Sequence, residues 1–434
     1  MSTQIVIVNV SQQIASAPNL LQRTGAFVSQ GGTTLAAGTT QLLTEKSDLT
    51  DILRPSVAIA SISWTSSVVT VQTSAAHGIP TGKVVQGTIA GVAPVGYNGT
   101  FACTGVDATH FTYPLVSNPG AETALGTFTL GAVAELASMG NTFFGQGNSQ
   151  AVYVLELGVG TAADGVTALA AYLLAPTTVF YSYLLPREWD TETSAPTLFR
   201  QYESTTSKVY FYVTTTVDTY TAWTSLPTKS VFLGLESPDA PDAEFSLAAD
   251  FYATLSANPG PASKVPPLAW RYVYGVTPLV LTPTQQTTYK AAGLNWITTG
   301  AEGGISQFTI ANGQYGDKRP WNYWYAVDWV IVTISEALAA VVINGSNSVI
   351  NPLYYNQPGI NQLQKTAQSD MNSGVAFGLI LGPVTVDAVP FATYVAENPN
   401  DYAAGLYAGL SATFTPARGF DQIMVNLVVS DIVA

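Results

Sequence analysis

Two histidines and one cysteine are the residues of this chain best suited to nucleophilic, acid–base or metal chemistry. His77 and His110 both lie next to turn sequences, and no cluster of Cys, His and Asp has the spacing of metal ligands. We therefore predict turn and surface roles for both histidines. Cys103 falls on a predicted strand, where a buried small apolar residue is the expectation. A single cysteine also excludes an internal disulfide.

Glycine-rich turns could also serve chemistry, because they can cradle a phosphate. Gly145-Gln-Gly147 precedes the strand predicted over 150–157, which is the wrong order for a dinucleotide-binding turn. Gly158-Val-Gly160 follows that strand and precedes a predicted helix, but it lacks a third glycine and a phosphate-binding lysine. A plain turn between strand and helix is the better interpretation, and we expect no cofactor.

Paired carboxylates could provide general acid and base catalysis. The groups that come close together in the sequence are Glu188, Asp190 and Glu192, and then Glu236, Asp239, Asp242 and Glu244. Both lie in loop-like, proline-containing sequence, so we interpret them as solvated loop charges, with Asp239 or Asp242 helping to start a helix at Ala243. The chain also lacks a Gly-x-Ser-x-Gly elbow. We predict that the protein is not an enzyme.

The densest combination of charged and aromatic residues is Asp317-Lys318-Arg319-Pro320-Trp321. Basic side chains are scarce here, since the chain has 15 Lys and Arg against 28 Asp and Glu. One interpretation makes Lys318, Arg319 and Trp321 a contact with a partner or a second copy. The other makes the segment a loop that enters a helix, with Trp321 and Trp324 in the core.

Composition favours an assembly over a free monomer. The chain is 47% hydrophobic and only 10% charged, whereas soluble domains carry about 25% charged residues. A surface covered by other copies needs less charge than a solvated one, although an ordinary surface rich in Thr, Asn, Gln and Ser is the alternative. The net charge of −13 without a Lys/Arg run argues against direct binding of nucleic acid.

The sequence predicts neither a signal peptide nor a membrane span. The first residues lack the charged and apolar regions of a secretion signal, so we expect synthesis in the cytosol. The longest apolar run, 326–343, is interrupted by Asp328, Thr333, Ser335 and Glu336. These polar residues make it a poor membrane span.

The segment 57–130 alternates short β-rich runs with turn signals about every ten residues. Asn98-Gly99, directly before one of these runs, is a strong signal for a tight turn. No helical period appears in the segment, and α/β sequence flanks it on both sides. We predict a small all-β module inserted at 57–131.

Strands and helices alternate after residue 134, and this pattern predicts a mainly parallel or mixed sheet covered by helices. An apolar helix is predicted over 326–343. An amphipathic helix is predicted over 360–377, with Gln364 and Gln368 on its outward face. By contrast, 11–44 is polar and weakly patterned, and we interpret it as an extended arm or loop.

Both ends of the sequence read as strands, because they are rich in β-branched residues and free of Gly and Pro. Unpaired strands offer N–H and C=O groups to another chain, so we predict that these ends join copies of the protein. The residues proposed for this strand exchange are Ile5, Val6, Ile7, Val8, Val10, Ile423, Met424, Val425, Leu427, Val428 and Val429.

Four features together resemble the tail sheath proteins of contractile phage tails. They are the first strand with its arm, an Asn-containing strand and Gly-rich turn in 291–305, the aromatic run 319–330 leading into a long helix, and the closing strand. The resemblance covers the chain apart from 57–130. That insertion is separately similar to a small β module of phage tail proteins, through Ala-His-Gly-Ile-Pro at 76–80 and Gly-Tyr-Asn-Gly-Thr-Phe at 96–101.

The resemblance implies an α/β (α+β) fold. It would be a mixed-sheet sheath core of two α/β domains with extended N- and C-terminal strand arms and a small inserted all-β domain. The expected domains are an N-terminal strand and arm at 1–56, the inserted module on the outer surface at 57–131, a middle α/β domain at 132–266, and a tube-facing α/β domain that ends in a strand arm at 267–434.

The resemblance also implies a structural subunit that polymerises around a tail tube and contracts, driving the tube through the host envelope for genome delivery. Expected partners are the protein itself as a helical homopolymer, the tail tube protein, and baseplate and tail terminator proteins, without direct nucleic-acid contact or stable membrane insertion. Assembly in the host cytoplasm would place the protein in the virion tail. Lys318, Arg319 and Trp321 would touch the tube or a neighbour.

Two other functional classes remain as alternatives. The inserted β module suggests a receptor-binding or adhesive tail protein. The alternation of strands and helices suggests an α/β hydrolase-like enzyme, although the sequence lacks a recognisable set of nucleophile and base residues.

Overall fold

A computed structural model describes residues 21–147, 149–224, 228–240, 243–300 and 307–420. The described residues form two compact units: 21–325 with 417–420 make the first, and 326–416 make the second. The predicted α/β fold with a mixed sheet is confirmed. Both predicted terminal strands lie outside the described residues.

The first unit is built on a mixed sheet that has nine strands among the described residues. They are β1 (Gly25–Ser29), β2 (Thr39–Leu43), β9 (Val152–Glu156), β10 (Ser182–Leu184), β11 (Tyr210–Thr215), β12 (Val231–Leu235), β13 (Tyr272–Val273), β14 (Leu294–Thr299) and β15 (Phe308–Ala311). Their order is β13-β15-β14-β12-β11-β10-β1-β9-β2. The six central strands, β14, β12, β11, β10, β1 and β9, are parallel to one another. At one side of them β15 pairs antiparallel with β14 and β13 pairs antiparallel with β15, and at the other side β2 pairs antiparallel with β9.

Helices cover both faces of this sheet. Their bounds are α1 (Lys46–Ile52), α2 (Gly131–Gly145), α3 (Ala162–Leu174), α4 (Ser194–Phe199), α5 (Thr221–Thr224), α6 (Leu247–Leu255) and α7 (Pro283–Ala292). Phe143 of α2 and Phe251 of α6 pack on Phe27 of β1, with ring centres 5.3 and 6.1 Å away. Residues of α3, α4, α5 and α7 share one hydrophobic core with Ala26 and Val28 on the other side of the same strand.

Strand β1 corrects the interpretation of 11–44 as an arm or loop. All five residues of β1 are buried, and it hydrogen-bonds to β9 and β10 on its two sides. A parallel strand buried on both faces reads as a short continuous apolar run instead of an alternating one. Here that run is only Ala-Phe-Val between polar and glycine-rich sequence, too short to stand out as a strand.

The strand order creates a crevice beside β1. Strands β2 and β9 lie on one side of β1, and after β9 the chain crosses to β10 on the other side. In open sheets of this kind, ligands and contacts gather outside the carboxyl ends of the strands at the point where the order reverses. The plain turn predicted after the strand at 150–157 is found here: Gly158 and Gly160 lead from β9 into α3, and Thr161 and Asp164 cap that helix reciprocally.

Six strands inside the described part of 57–130 close into a barrel. They are β3 (Val57–Thr65), β4 (Val68–Thr73), β5 (Val84–Ala90), β6 (Gly99–Gly105), β7 (His110–Pro114) and β8 (Thr127–Leu130). The barrel has its own hydrophobic core, which includes Cys103, Phe111 and Phe128. Lys83 docks the barrel on α3 through an ion pair of 2.8 Å with Asp164.

The expectation that His77 is a surface residue is wrong. His77 is only 1% exposed, and its ring lies edge-on to Phe111 at 5.3 Å. The N–H of Ile79 donates to its Nδ1 at 3.0 Å, so Nε2 carries the proton and donates to the carbonyl oxygen of His110 at 3.1 Å. The buried ring of His77 therefore stabilises the turn, because one ring nitrogen accepts the Ile79 N–H and the other donates to the His110 carbonyl oxygen.

The second unit is mainly helical. Its helices are the continuation of α8 (Trp321–Asn347), α9 (Gln357–Ala376), α10 (Phe391–Glu397) and α11 (Pro399–Ala404), and its strands are β16 (Ile380–Leu381), β17 (Val386–Ala388), β18 (Leu410–Ala412) and β19 (Thr415–Pro416). Asn356 caps α9 by accepting the N–H of Gly359 at 3.0 Å. Among the described helices, α8 is long and apolar enough to cross a membrane by length and composition alone, and the absence of stable insertion stays a prediction.

Glu156, at the end of β9, ties the segment after β1 to the sheet. It is 1% exposed. Its carboxylate accepts bonds from the Ser29 hydroxyl (2.8 Å), the Gly31 N–H (2.6 Å), the Thr33 N–H and hydroxyl (3.1 and 2.8 Å) and the Gly158 N–H (2.8 Å). A buried carboxylate is stable only with such a set of donors.

We predict that Glu156→Gln lowers the free energy of unfolding by about 2 kcal/mol, because the amide loses charge-assisted bonds and turns an NH₂ group toward N–H donors. Urea titrations of both proteins would measure the loss. Glu203→Gln, at an exposed position, is the matched control and is expected to stay close to the parent. Equal stability of the two variants would show that the carboxylate does not hold the segment.

Candidate assembly interface

The second unit carries a short antiparallel ribbon suited to pairing with another chain. β16 pairs with β19 and β17 pairs with β18, so the two pairs follow one another along the same two stretches of chain. A ribbon of two strands has two edges, and each edge exposes N–H and C=O groups unless something covers it.

Helix α9 covers the β17 edge with glutamine side chains. Gln368 accepts the N–H of Val386 and donates to the carbonyl oxygen of Val384, both at 2.8 Å. Gln364 donates to the carbonyl oxygen of Val386 at 2.8 Å. The expectation that both glutamines face outward is therefore wrong, because their amides replace the bonds that a further strand would make.

The β18 edge is open in the part of the chain that the structure describes. β18 pairs with β17 on one side, no described residue pairs with its other side, and Ser411 and Ala412 are exposed. An edge of this kind accepts an extended segment of another chain through main-chain hydrogen bonds.

In the first unit, basic and aromatic side chains gather at the amino ends of β11 and β12. Lys229 precedes β12 and holds its Nζ 4.5 Å from the ring centre of Trp324. The guanidinium of Arg319 lies 5.1 Å from Trp324 and 4.8 Å from Tyr323, and that of Arg418 lies 5.6 Å from Tyr323. Contacts between cations and ring faces orient the guanidinium groups while leaving their N–H donors accessible.

The structure separates the three residues predicted to form a contact here. Lys318 and Arg319 are exposed. Trp321 is fully buried, with its ring 4.7 Å from that of Tyr325, so it fills the core as the alternative interpretation held. The surface that can meet a partner at this point belongs to the two basic side chains.

A cleft of about 900 Å³ opens at the carboxyl ends of the parallel strands. Its walls come from the turns after β10, β11 and β12, from the start of α2, and from β5 and β6 of the barrel. The charged residues that line it are Glu135, Arg187, Glu188, Asp218 and Glu236. The cleft is therefore acidic.

Arg187 is the cation of this cleft, and it is already engaged. Its guanidinium donates to both carboxylate oxygens of Glu236 at 2.7 and 2.6 Å and to the carbonyl oxygen of Glu244 at 2.6 Å. It also lies 4.3 Å from the ring centre of Phe245. The interpretation of Glu236 and Glu244 as solvated loop charges is therefore wrong. Glu236 is paired with Arg187, and the buried carboxylate of Glu244 accepts the N–H and the hydroxyl of Thr277 at 2.7 and 2.9 Å.

The first carboxylate group is also divided between surface and interior. Asp190 is buried and accepts bonds from Thr219 and from the Trp223 ring N–H. Glu188 is exposed and Glu192 is half-buried.

Asp239, in the second carboxylate group, is exposed as expected. Asp242 lies outside the described residues. The sequence missed the pairing of Arg187 with Glu236 because 49 residues separate them. The only signal was that each lies within three residues of the end of a strand.

Desolvation shifts the pKa of two carboxyl groups in the cleft, Glu135 and Glu188. Desolvation raises the pKa of Glu135 to about 7, even though its carboxylate accepts the backbone N–H of Arg187. Desolvation also raises the pKa of Glu188. In both groups the surroundings disfavour the charged carboxylate.

The described residues do not assemble a catalytic centre of the kinds considered from the sequence. Among them, no group of three or more His, Cys, Asp and Glu residues could hold a metal ion. Cys103 is buried as predicted, and desolvation raises the pKa of its thiol to about 12, so it is not a nucleophile at neutral pH. His110 pairs with Asp107 at 2.9 Å beside its turn.

The chain is similar to solved structures of sheath proteins. The subunit of the helical sheath of the anti-feeding prophage (AFP) in its contracted state has a TM-score of 0.51 and 13% sequence identity, over 99% of each chain. Two sheath tail proteins have lower scores. One from Listeria innocua has a TM-score of 0.43 and 10% identity, over 84% of this chain and 88% of that chain. One from Desulfitobacterium hafniense has a TM-score of 0.43 and 10% identity, over 94% of this chain and 100% of that chain.

No protein-family profile and no curated protein sequence matches the chain. The likeness to the AFP sheath subunit therefore carries the assignment. It shows that the chain has the fold of a sheath protein, as the sequence resemblance predicted.

Glu135 should make the stability of the protein depend on pH. Its pKa rises from 4.5 to about 7 on folding, so between these values the unfolded chain loses a proton that the folded chain keeps, and stability falls as pH rises. We predict that Glu135→Gln removes this fall and gains on the order of 1 kcal/mol above pH ~7.5, with little change below pH ~4. Urea titrations at both pH values would measure it, with exposed Glu122→Gln as control. A gain that is the same at both pH values would contradict the prediction.

The glutamine cover of the β17 edge can be tested by hydrogen exchange. We predict that Gln368→Met, which keeps the side-chain volume, leaves the Val386 N–H without its acceptor and speeds its exchange about tenfold. Peptide-resolved deuterium uptake over 384–388 would measure the change. Gln362→Met, at an exposed position of the same helix, is the control. If both variants exchange like the parent, the side chain does not protect this edge.

Proposed function

We propose that this protein is a structural subunit of a contractile phage tail sheath. It would polymerise around the tail tube and contract to drive the tube through the host envelope for genome delivery. The observation that carries the proposal is the likeness in fold to the AFP helical sheath subunit over 99% of both chains. The shortage of charged residues, 10% of the chain, supports a surface that is largely covered by other subunits.

Strand exchange is the proposed joint between subunits. The donors are the two terminal segments, with Ile5, Val6, Ile7, Val8 and Val10 at one end and Ile423, Met424, Val425, Leu427, Val428 and Val429 at the other. The open β18 edge supports an acceptor role for the second unit, because its β17 edge is already covered by Gln364 and Gln368. An incoming strand would then extend the ribbon on the β18 side.

The proposed partners follow from the same function. They are other copies of this chain in a helical homopolymer, the tail tube protein, and the baseplate and tail terminator proteins. Lys318 and Arg319 are the residues proposed to touch the tube or a neighbour, and their exposure supports such a contact. The protein would be assembled in the host cytoplasm and carried in the virion tail, without nucleic-acid binding, membrane insertion or enzymatic activity.

The four domain ranges belong to this proposal as well. The barrel has a closed strand order and a separate core, which supports treating 57–131 as a module that an outer surface can accommodate. The boundaries 1–56, 132–266 and 267–434 are proposed for the rest of the chain.

Strand exchange predicts that the ends are needed for assembly and not for folding. Deleting 1–10 or 422–434 is expected to leave a folded chain that forms no sleeves, because a subunit without a donor strand cannot complete its neighbour's sheet. Val6→Pro and Val425→Pro are expected to have the same effect, since proline removes a donor N–H from a strand. Electron micrographs and sedimentation would measure sleeve formation.

Ser16→Pro, outside both predicted strands, is the matched control and is expected to assemble normally. Long sleeves from either truncated protein would contradict the strand-exchange joint. A receptor-binding tail protein, the alternative function, would instead keep binding cells after both deletions.

A further inference from the structure

Basic residues predominate where β10, β11, β12 and β14 begin, and acidic residues predominate where these strands end, with Arg187 as a paired cation among them. Because β10, β11, β12 and β14 are parallel, they all begin at one edge of the sheet and all end at the other. We call these the basic edge and the acidic edge. The basic edge consists of Arg200, Lys208, Lys229, Lys290, Lys318, Arg319 and Arg418, and the acidic edge of Glu135, Glu188, Asp218, Glu236 and Asp239.

Contacts in the fold bring the basic edge together from distant parts of the chain. Lys208 and Lys229 each lie two residues before a strand, β11 and β12 respectively. The hydroxyl of Ser230, just before β12, donates to the carbonyl oxygen of Phe199, the neighbour of Arg200. The N–H of Gly316 donates to the carbonyl oxygen of Val231 at 2.8 Å, which sets the loop carrying Lys318 and Arg319 at the same end. Glu203 and Asp317 are the acidic residues interspersed here.

The exposed members of the basic edge are Arg200, Lys318, Arg319 and Arg418. Arg319 lies 4.0 Å from Asp317 and is stacked on two aromatic rings. A guanidinium held in this way has lost part of its rotational freedom before it meets a partner, and its planar donors match a carboxylate.

The acidic edge has the opposite property, since its carboxylates line or adjoin an open cleft. Glu236 is paired with Arg187 at 2.6 Å. No described residue forms an ion pair with Glu188, Asp218 or Asp239, and all three are exposed. The cleft of about 900 Å³ has room for several long side chains from another molecule.

We infer that copies of this chain stack head to tail, with the basic edge of one subunit against the acidic edge of the next. The inference rests on the proposed function, and it names which surfaces meet along the sleeve. A contact between two different surfaces of one protein repeats without closing and builds a helical filament. Complementary charge points to a second copy as the occupant, because the exposed residues are mainly basic at one edge and mainly acidic at the other.

Charge reversal at each edge separately, and then at both, tests the inference. Lys318→Glu with Arg319→Glu reverses the basic edge, and Glu188→Lys with Asp218→Lys reverses the acidic edge. Either pair is expected to raise the protein concentration needed for sleeve formation about tenfold or more. All four changes in one chain are expected to return that concentration to the parent's value, because the two edges again carry opposite charges. Sedimentation and electron micrographs would measure this in about 0.1 M salt.

A matched control changes the net charge equally at other places. Lys46→Glu with Lys365→Glu, at exposed positions that are not members of the basic edge, is expected to assemble like the parent. Thermal unfolding of each variant would verify folding. The parent itself should assemble less readily in about 0.5 M salt than in about 0.05 M salt, because screening weakens contacts between exposed charges.

The outcomes separate this inference from the proposed function. If the parent forms sleeves and the two edge variants do so equally well, head-to-tail charge pairing is overturned while the sheath function stands. If the basic-edge variant fails and the four-fold variant does not recover, the basic edge meets another partner, such as the tube, and the inference is again overturned. If the parent forms no sleeve under any condition, the proposed function fails as well.

Discussion

The need to hydrogen-bond every buried backbone group organises both units of this protein. In the first unit, β1 satisfies its N–H and C=O groups on β9 and β10, and Glu156 satisfies Gly31 and Thr33 where the strand ends. In the second unit, amides of α9 satisfy β17, whereas β18 keeps an edge that no described residue covers. A strand edge that the chain covers itself therefore belongs to the folded subunit, whereas a strand edge that is left open can bind another chain.

Sequence patterning predicts the parts of this fold whose contacts are local or periodic. The β-rich insertion, the alternation of strands and helices, and the helices over 321–347 and 357–376 all have such patterns. The parts it misses depend on distant partners. The three apolar residues of β1 look weak until two strands flank them, the glutamines of α9 look like a solvent face, and His77 looks like a turn residue because its two aromatic neighbours lie on other strands.

The dependence on distant partners also explains which parts of the candidate interface the sequence predicts and which it misses. The sequence singles out Lys318, Arg319 and Trp321 because they adjoin one another, yet it cannot tell that Trp321 points into the core. It also cannot predict that Lys229 and Arg418 contact the neighbouring rings of Trp324 and Tyr323, since these cations come from distant segments. Charge sorting across a parallel sheet becomes visible only when strand direction is known. Residues before and after each strand are then assigned to opposite edges.

A sleeve that contracts needs one contact that persists and another that can change, and the two surfaces proposed here differ in that way. Strand pairing has a fixed register, because a shift by one residue turns every side chain to the other face; such a joint holds or breaks. Attraction between groups of charges falls off gradually with distance and has no fixed register, so subunits can shift past one another while some pairs remain in contact. Strand exchange would keep neighbours linked through the transition, and the edge charges would favour one stacking distance over another.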